Sequence, residues 1–215
     1  MILAWGQSLL GIGHWQRLLT ILHACRDLGL PVTLAHGAPL PPTVDTSGMT
    51  LNPLPFCFSE DTDCKQLRDE WGRPLDSAWW AQRTRALLNI LETVRPAVLV
   101  TELFPFGRWA FRQELVPALE WCRRNGVPCV ASVRDVVQPS CAAPERTEKI
   151  LKIVNEYFHL VLTHNDPELF PFASTFPQAE ALGQRLQETG YVVATHTGMA
   201  AAVHRQGLPF VLVSS

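Results

Sequence analysis

The 215-residue sequence contains no run of lysine and arginine, and its aromatic residues do not interleave with basic ones. With a formal net charge of −2, it lacks the electrostatic footprint of a nucleic-acid binder. No uninterrupted apolar stretch is long enough to span a bilayer. No charged segment followed by an apolar one opens the chain, so it reads as soluble and cytoplasmic. The six cysteines (Cys25, Cys57, Cys64, Cys122, Cys129 and Cys141) include no C-x-x-C and no zinc spacing. They read as free structural thiols in a reducing compartment, with Cys25 and Cys122 on buried helix faces and Cys129 in a strand. Internal repeats and low-complexity tracts are absent.

The familiar cofactor and catalytic signatures are missing too. There is no P-loop, and Gly6-Gln7-Ser8-Leu9-Leu10 has leucine where a nucleophile elbow needs glycine. A dinucleotide fingerprint needs a third glycine where this chain has Gln16, and an acid after the second strand where it has His36-Gly37. No cluster of His, Asp or Glu has metal-ligand spacing, so no cofactor and no metal is expected.

What is present is an ample apolar content, 47% of residues, arranged as short apolar runs alternating with helical periodicities. That alternation is the mark of an α/β fold: a Rossmann-like parallel sheet with helices on both faces. Strands are expected at Ile2–Trp5, Val32–Ala35, Met49–Leu51, Ala97–Thr101, Pro128–Val133 and Leu160–Thr163. Helices are expected at Trp15–Leu28, Ser77–Val94, after Arg108, and at Glu145–Glu156. Phe56–Asp76 has no clean period and reads as an irregular excursion over the sheet edge. Trp79 and Trp80 are adjacent, so only one can face the core squarely. Pro209–Ser215 reads as a buried strand with nothing after it. The expected division is a domain over 1–193, then a crossover and the first strand of a second α/β domain over 194–215.

The segment Gly11-Ile12-Gly13-His14-Trp15-Gln16-Arg17 follows the first strand and opens an amphipathic helix. Its glycines let the backbone turn sharply and let another molecule approach closely. A helix start carries unpaired N–H groups and partial positive charge, which favour a bound anion and a neutral, proton-accepting histidine. In open parallel sheets, ligands bind beyond the carboxyl ends of the strands. This sequence places Gln7, Ser8, Gly11, Gly13 and His14 there, with Arg17 in the helix that follows. His36, Glu102, Arg134, Asp135, His164, Asn165 and Asp166 end or follow the other strands.

Those segments, together with Glu102-Leu-Phe-Pro-Phe-Gly-Arg108, Ser132-Val-Arg-Asp135 and Thr163-His-Asn-Asp166-Pro, resemble the N-terminal domain of GT-B glycosyltransferases distantly related to the MurG family. The resemblance implies an acceptor-binding half that works with a second domain holding a nucleotide-sugar, UDP-linked as a rule, without a bound metal. It implies a hexosyltransferase with His14 as base, Glu102 or Asp135 orienting it, and Gly11 and Gly13 beside the donor phosphates or the reacting sugar. Arg17, Arg134, His164 and Asn165 are then substrate-binding candidates, with Arg134 alternatively paired to Asp135. The implied partners are the nucleotide-sugar and a sugar or lipid-linked acceptor, the latter at the inner face of a membrane. Two alternatives stay open: a nucleotide-sugar hydrolase using the same histidine on water, and a non-catalytic subunit that recruits a separate donor domain.

Overall fold

Short apolar runs form the central strands. In the computed structural model, which describes residues 1–9, 11–61, 66–134, 136–138, 141 and 143–193, they build one parallel sheet. Its strands are β1 (Ile2–Gly6), β2 (Val32–His36), β3 (Thr50–Pro53), β6 (Val98–Glu102), β7 (Cys129–Arg134), β8 (Leu160–His164) and β9 (Leu186–Glu188). The spatial order is β3-β2-β1-β6-β7-β8-β9, and every neighbouring pair is parallel. The chain therefore winds outward from β1 to β3, returns to the centre at β6 and winds outward the other way. The reversal lies between β1 and β6, where open α/β sheets form their ligand crevice. Trp5 is in register with Thr101, so the ends of these two strands lie side by side.

Helices cover both faces. Helix α1 (Gly13–Asp27) buries Trp15, Leu18, Leu19 and Leu22 at helical spacing against Ala4, Val32 and Leu34. On the other face α2 (Ser77–Val94), α3 (Arg112–Arg124) and α4 (Pro144–Tyr157) enclose the larger core around Leu3, Trp5, Leu87, Leu115 and Ile150. Asp76 caps α2 by accepting the Trp79 N–H at 2.7 Å, and Arg95 ends it in the left-handed region.

The excursion over Phe56–Asp76 is more ordered than its sequence suggests. It contains an antiparallel hairpin of β4 (Cys57–Ser59) and β5 (Leu67–Asp69). Strands of three residues are too short to show a period of two, which hid them. The same reason hid β9, for which no strand was expected and which is found hydrogen-bonded to β8. The strand expected at Met49–Leu51 runs over Thr50–Pro53. Trp80 is buried and Trp79 packs half-buried edge-on to it; the exposed indole of this region is Trp71. Cys122 and Cys129 are buried as expected, Cys25 is half-buried, and Cys64 lies outside the described residues. Residues 194–215, with the expected second-domain strand, also lie outside them.

A charged cluster braces the strand ends from beneath. Arg83 of α2 and Glu114 of α3, both fully buried, form an ion pair. The Trp5 indole N–H donates to the other Glu114 oxygen at 2.9 Å. Arg83 also donates to the Gln7 side-chain oxygen at 2.7 Å and to the Pro55 carbonyl at 2.6 Å. Burial pushes the Glu114 carboxyl up, against the opposing pull of Arg83 and Trp5. Gly37 lies against this cluster: a Cβ there would sit 2.2 Å from the Arg83 guanidinium and 2.4 Å from the Gln7 oxygen. Gly37→Ala should therefore lower stability by about 1–3 kcal/mol, measured as a fall in the urea midpoint. An unchanged midpoint would show that Arg83 does not pack against this backbone.

Candidate active site

Helix α1 begins without help from its own sequence. Its first turn holds no acidic residue, and Ile12 at the cap offers no side-chain acceptor. The negative charge that stabilises a helix start comes instead from the neighbouring strand: Glu102, the last residue of β6, reaches the first turns of α1. His14 and Arg17, three apart and so on one helix face, both meet it. Gly11, at φ +67°, turns the chain from β1 into this helix, and its carbonyl accepts the Ser8 hydroxyl at 2.8 Å. A side chain at that φ would be strained. Gly13 is the first helical residue, and both glycines face open space.

The geometry sets the tautomer of His14. Its Nδ1 lies 2.8 Å from Glu102 Oε1 and 3.4 Å from Arg17 Nη2. Arginine only donates and a carboxylate only accepts, so Nδ1–H donates to Glu102, and in the neutral ring the lone pair is on Nε2. The ring is 17% exposed, while Glu102 is 1% exposed. Burial pushes the Glu102 carboxyl up, but the His14 hydrogen bond and the charges of Arg17 and Arg108 outweigh it and hold the group below its ordinary range. Arg17 pairs with the same Oε1, and Glu102 Oε2 makes no hydrogen bond among the described residues.

The other candidates are placed differently. His164, at the end of β8, turns inward: its Nε2 lies 2.8 Å from the Ser132 hydroxyl and its Nδ1 2.8 Å from the Thr189 hydroxyl. Asn165 donates to the Phe170 carbonyl at 3.0 Å and to Glu188 at 2.7 Å, tying the loop after β8 to β9. Arg134 is exposed at the end of β7, in register with His164. Asp135 lies outside the described residues. His14, Arg17 and Glu102 thus form one constellation, and His164 and Asn165 spend their hydrogen bonds on neighbouring strands and loops. Arg108 belongs beside Glu102 and was not singled out from sequence. It takes a left-handed conformation, φ 54°, and donates to the Gln7 carbonyl at 2.9 Å. Only its place at the end of the Glu102–Arg108 segment hinted at this. Among the described residues no group of three or more His, Cys, Asp or Glu could hold a metal ion.

Burial first, then the charge of Arg17, lowers the His164 pKa to about 4. The folded state therefore prefers the neutral ring, and the unfolded state binds the extra proton below about pH 6.5. That stability is complete above the unfolded pKa and is lost as pH falls toward 4. His36, also lowered by burial, acts in the same direction. Thermal midpoints should fall between pH 6.5 and 4, and His164→Gln should flatten much of that slope. An equal slope in the variant would show that His164 is not the titrating group.

No protein-family model matches the chain, and comparison with curated proteins finds no match. Solved structures do match. Acinetobacter baumannii MurG superposes with a TM-score of 0.52 at 11% identity, covering 92% of this chain and 46% of that one. Anabaena HepE in complex with UDP and glucose gives 0.55 at 13% identity, covering 88% and 44%. Arabidopsis thaliana UGT89C1 complexed with quercetin gives 0.54 at 11% identity, covering 91% and 51%. The described residues thus share a Rossmann-like fold with MurG, HepE and UGT89C1. The chain spans about half the length of these proteins.

Proposed function

We propose that this chain is the acceptor-side half of a GT-B glycosyltransferase that moves a hexose from a UDP-linked donor to an acceptor hydroxyl. Residues 1–193 form the acceptor-side domain, and 194–215 lead into the donor domain. The observation that carries this reading is the hydrogen bond between His14 and buried Glu102 at the reversal point between β1 and β6. The fold supports it, since it is shared with proteins whose structures hold UDP, UDP-glucose or a flavonol.

His14 Nε2 takes the proton from the acceptor hydroxyl as that oxygen bonds to the anomeric carbon and the bond to the UDP oxygen breaks. UDP leaves with the bonding electron pair. Glu102 holds the imidazolium through Nδ1–H, as carboxylates do for catalytic histidines elsewhere. Arg17 and Arg108 keep Glu102 ionised and in place. Arg134 stands at the same strand-end rim to meet an anionic group of the donor or acceptor.

The test uses the protein as its source cell makes it, with radiolabelled UDP-hexoses and a panel of sugar and lipid-linked acceptors. Label transferred to an acceptor, with UDP released, supports the reading. Free hexose formed without acceptor assigns His14 to water and makes the protein a nucleotide-sugar hydrolase. Transfer only in the presence of a copurifying α/β protein makes this chain the acceptor subunit of a split enzyme. No consumption of any UDP-hexose rejects glycosyl transfer. No helix among the described residues is long and apolar enough to cross a membrane.

A further inference from the structure

His14 and Arg17 meet Glu102 on the α1 face of the sheet. On the opposite face, a cavity of about 420 Å³ opens between the β4–β5 hairpin, the start of α2 and the turn leading into α3. Its size falls within the range of small-molecule sites. Trp80 and Leu75 supply an apolar wall; Arg68, Arg112, Gln66 and Gln113 supply polar groups around it. The turn that follows β5 is closed by hydrogen bonds. The Asp69 carboxylate accepts the backbone N–H groups of Trp71 and Arg73 at 3.0 and 2.8 Å, and the Arg73 Nε at 2.8 Å. The backbone of Arg68 is bridged to that of Pro74 across the same turn.

The two arginines are only partly spent. Arg68 gives its Nε to Glu60 at 2.9 Å, and its Nη groups have no partner among the described residues. Arg112 donates to the Trp109 carbonyl at 3.0 Å and, among the described residues, makes no ion pair. We propose that this cavity is a binding site for a small amphiphilic anion, with its aromatic or alicyclic body against Trp80 and Leu75 and its carboxylate, sulfonate or phosphate between Arg68 and Arg112. The juxtaposition that carries the proposal is two arginines with unused donors at the mouth of an indole-walled cavity, one from β5 and one from the start of α3. Guanidinium donors match such anions in geometry and charge. This site does not depend on the glycosyl-transfer reading, because it lies on the other face of the sheet from His14.

The probe is 8-anilinonaphthalene-1-sulfonate, titrated by fluorescence into the native protein, with near-ultraviolet circular dichroism confirming that packing is intact. Saturable binding at one site is expected. Arg68→Gln and Arg112→Gln should each weaken it about tenfold, and uncharged N-phenyl-1-naphthylamine should bind at least about tenfold more weakly. Ala110→Trp should fill the cavity and block the probe, and His14→Ala should leave its binding unchanged. Failure of the probe to bind, affinity unaltered in both arginine variants, or loss of binding in His14→Ala would each overturn the proposal.

Discussion

His14→Ala should lower the proposed sugar transfer about 10²–10⁴-fold, the largest functional effect expected of any single change. The loss should appear in kcat, with little change in KM for the UDP-hexose, because the role proposed for the ring is to take the acceptor proton. Folding should survive: the side chain stands partly exposed in the first turn of α1, and the helix is held by Trp15, Leu18, Leu19 and Leu22. Glu102→Gln is the informative companion. Its amide oxygen can still accept from His14 Nδ1–H, yet it carries no charge to hold an imidazolium or to pair with Arg17. Transfer should fall less than in His14→Ala. Near-normal turnover in His14→Ala, measured on folded protein, would remove the histidine from the mechanism.

The largest stability effect is expected at the buried pair of Arg83 and Glu114. Arg83→Met alone leaves the Glu114 carboxylate buried and strips Gln7 and Pro55 of a donor; Glu114→Leu alone leaves the guanidinium buried and Trp5 without an acceptor. Breaking one side of such a pair costs about 3–5 kcal/mol. For a domain of this size, each 1 kcal/mol lowers Tm by about 2–4 °C. The double variant Arg83→Met with Glu114→Leu should cost much less than the two singles together, because no uncompensated charge remains. It should still not reach wild type, since Gln7, Pro55 and Trp5 lose partners in it. Additive losses, measured as urea midpoints of the four proteins, would show that the two side chains do not interact.

The cluster also shows why some of this molecule was legible in advance and some was not. Helix α2 runs over Ser77–Val94 as its periodicity and the Arg95-Pro96 stop predict. The Arg83–Glu114 pair was invisible, because its partners lie 31 residues apart on different helices. The β4–β5 hairpin and β9 were missed because three residues carry too little pattern. At the site, a helix-start histidine after a two-glycine turn marked His14, and its placement at the end of an apolar strand marked Glu102. Neither signal showed that Arg17 would share Glu102 with His14, or that Arg108 would stand beside them. His164 and Asn165 carried the same strand-end signal, yet their hydrogen bonds run to Ser132, Thr189, Phe170 and Glu188.

The linear order of apolar runs, glycines and helical stripes was enough to specify a parallel α/β sheet and to put polar residues along one rim, because those patterns act over a few residues. Which rim residues touch was decided by tertiary structure alone. The strand order sets β6 against β1, and that adjacency brings a carboxylate from residue 102 to an imidazole at residue 14. A contact spanning 88 positions is fixed by how the sheet winds, and no local pattern encodes it.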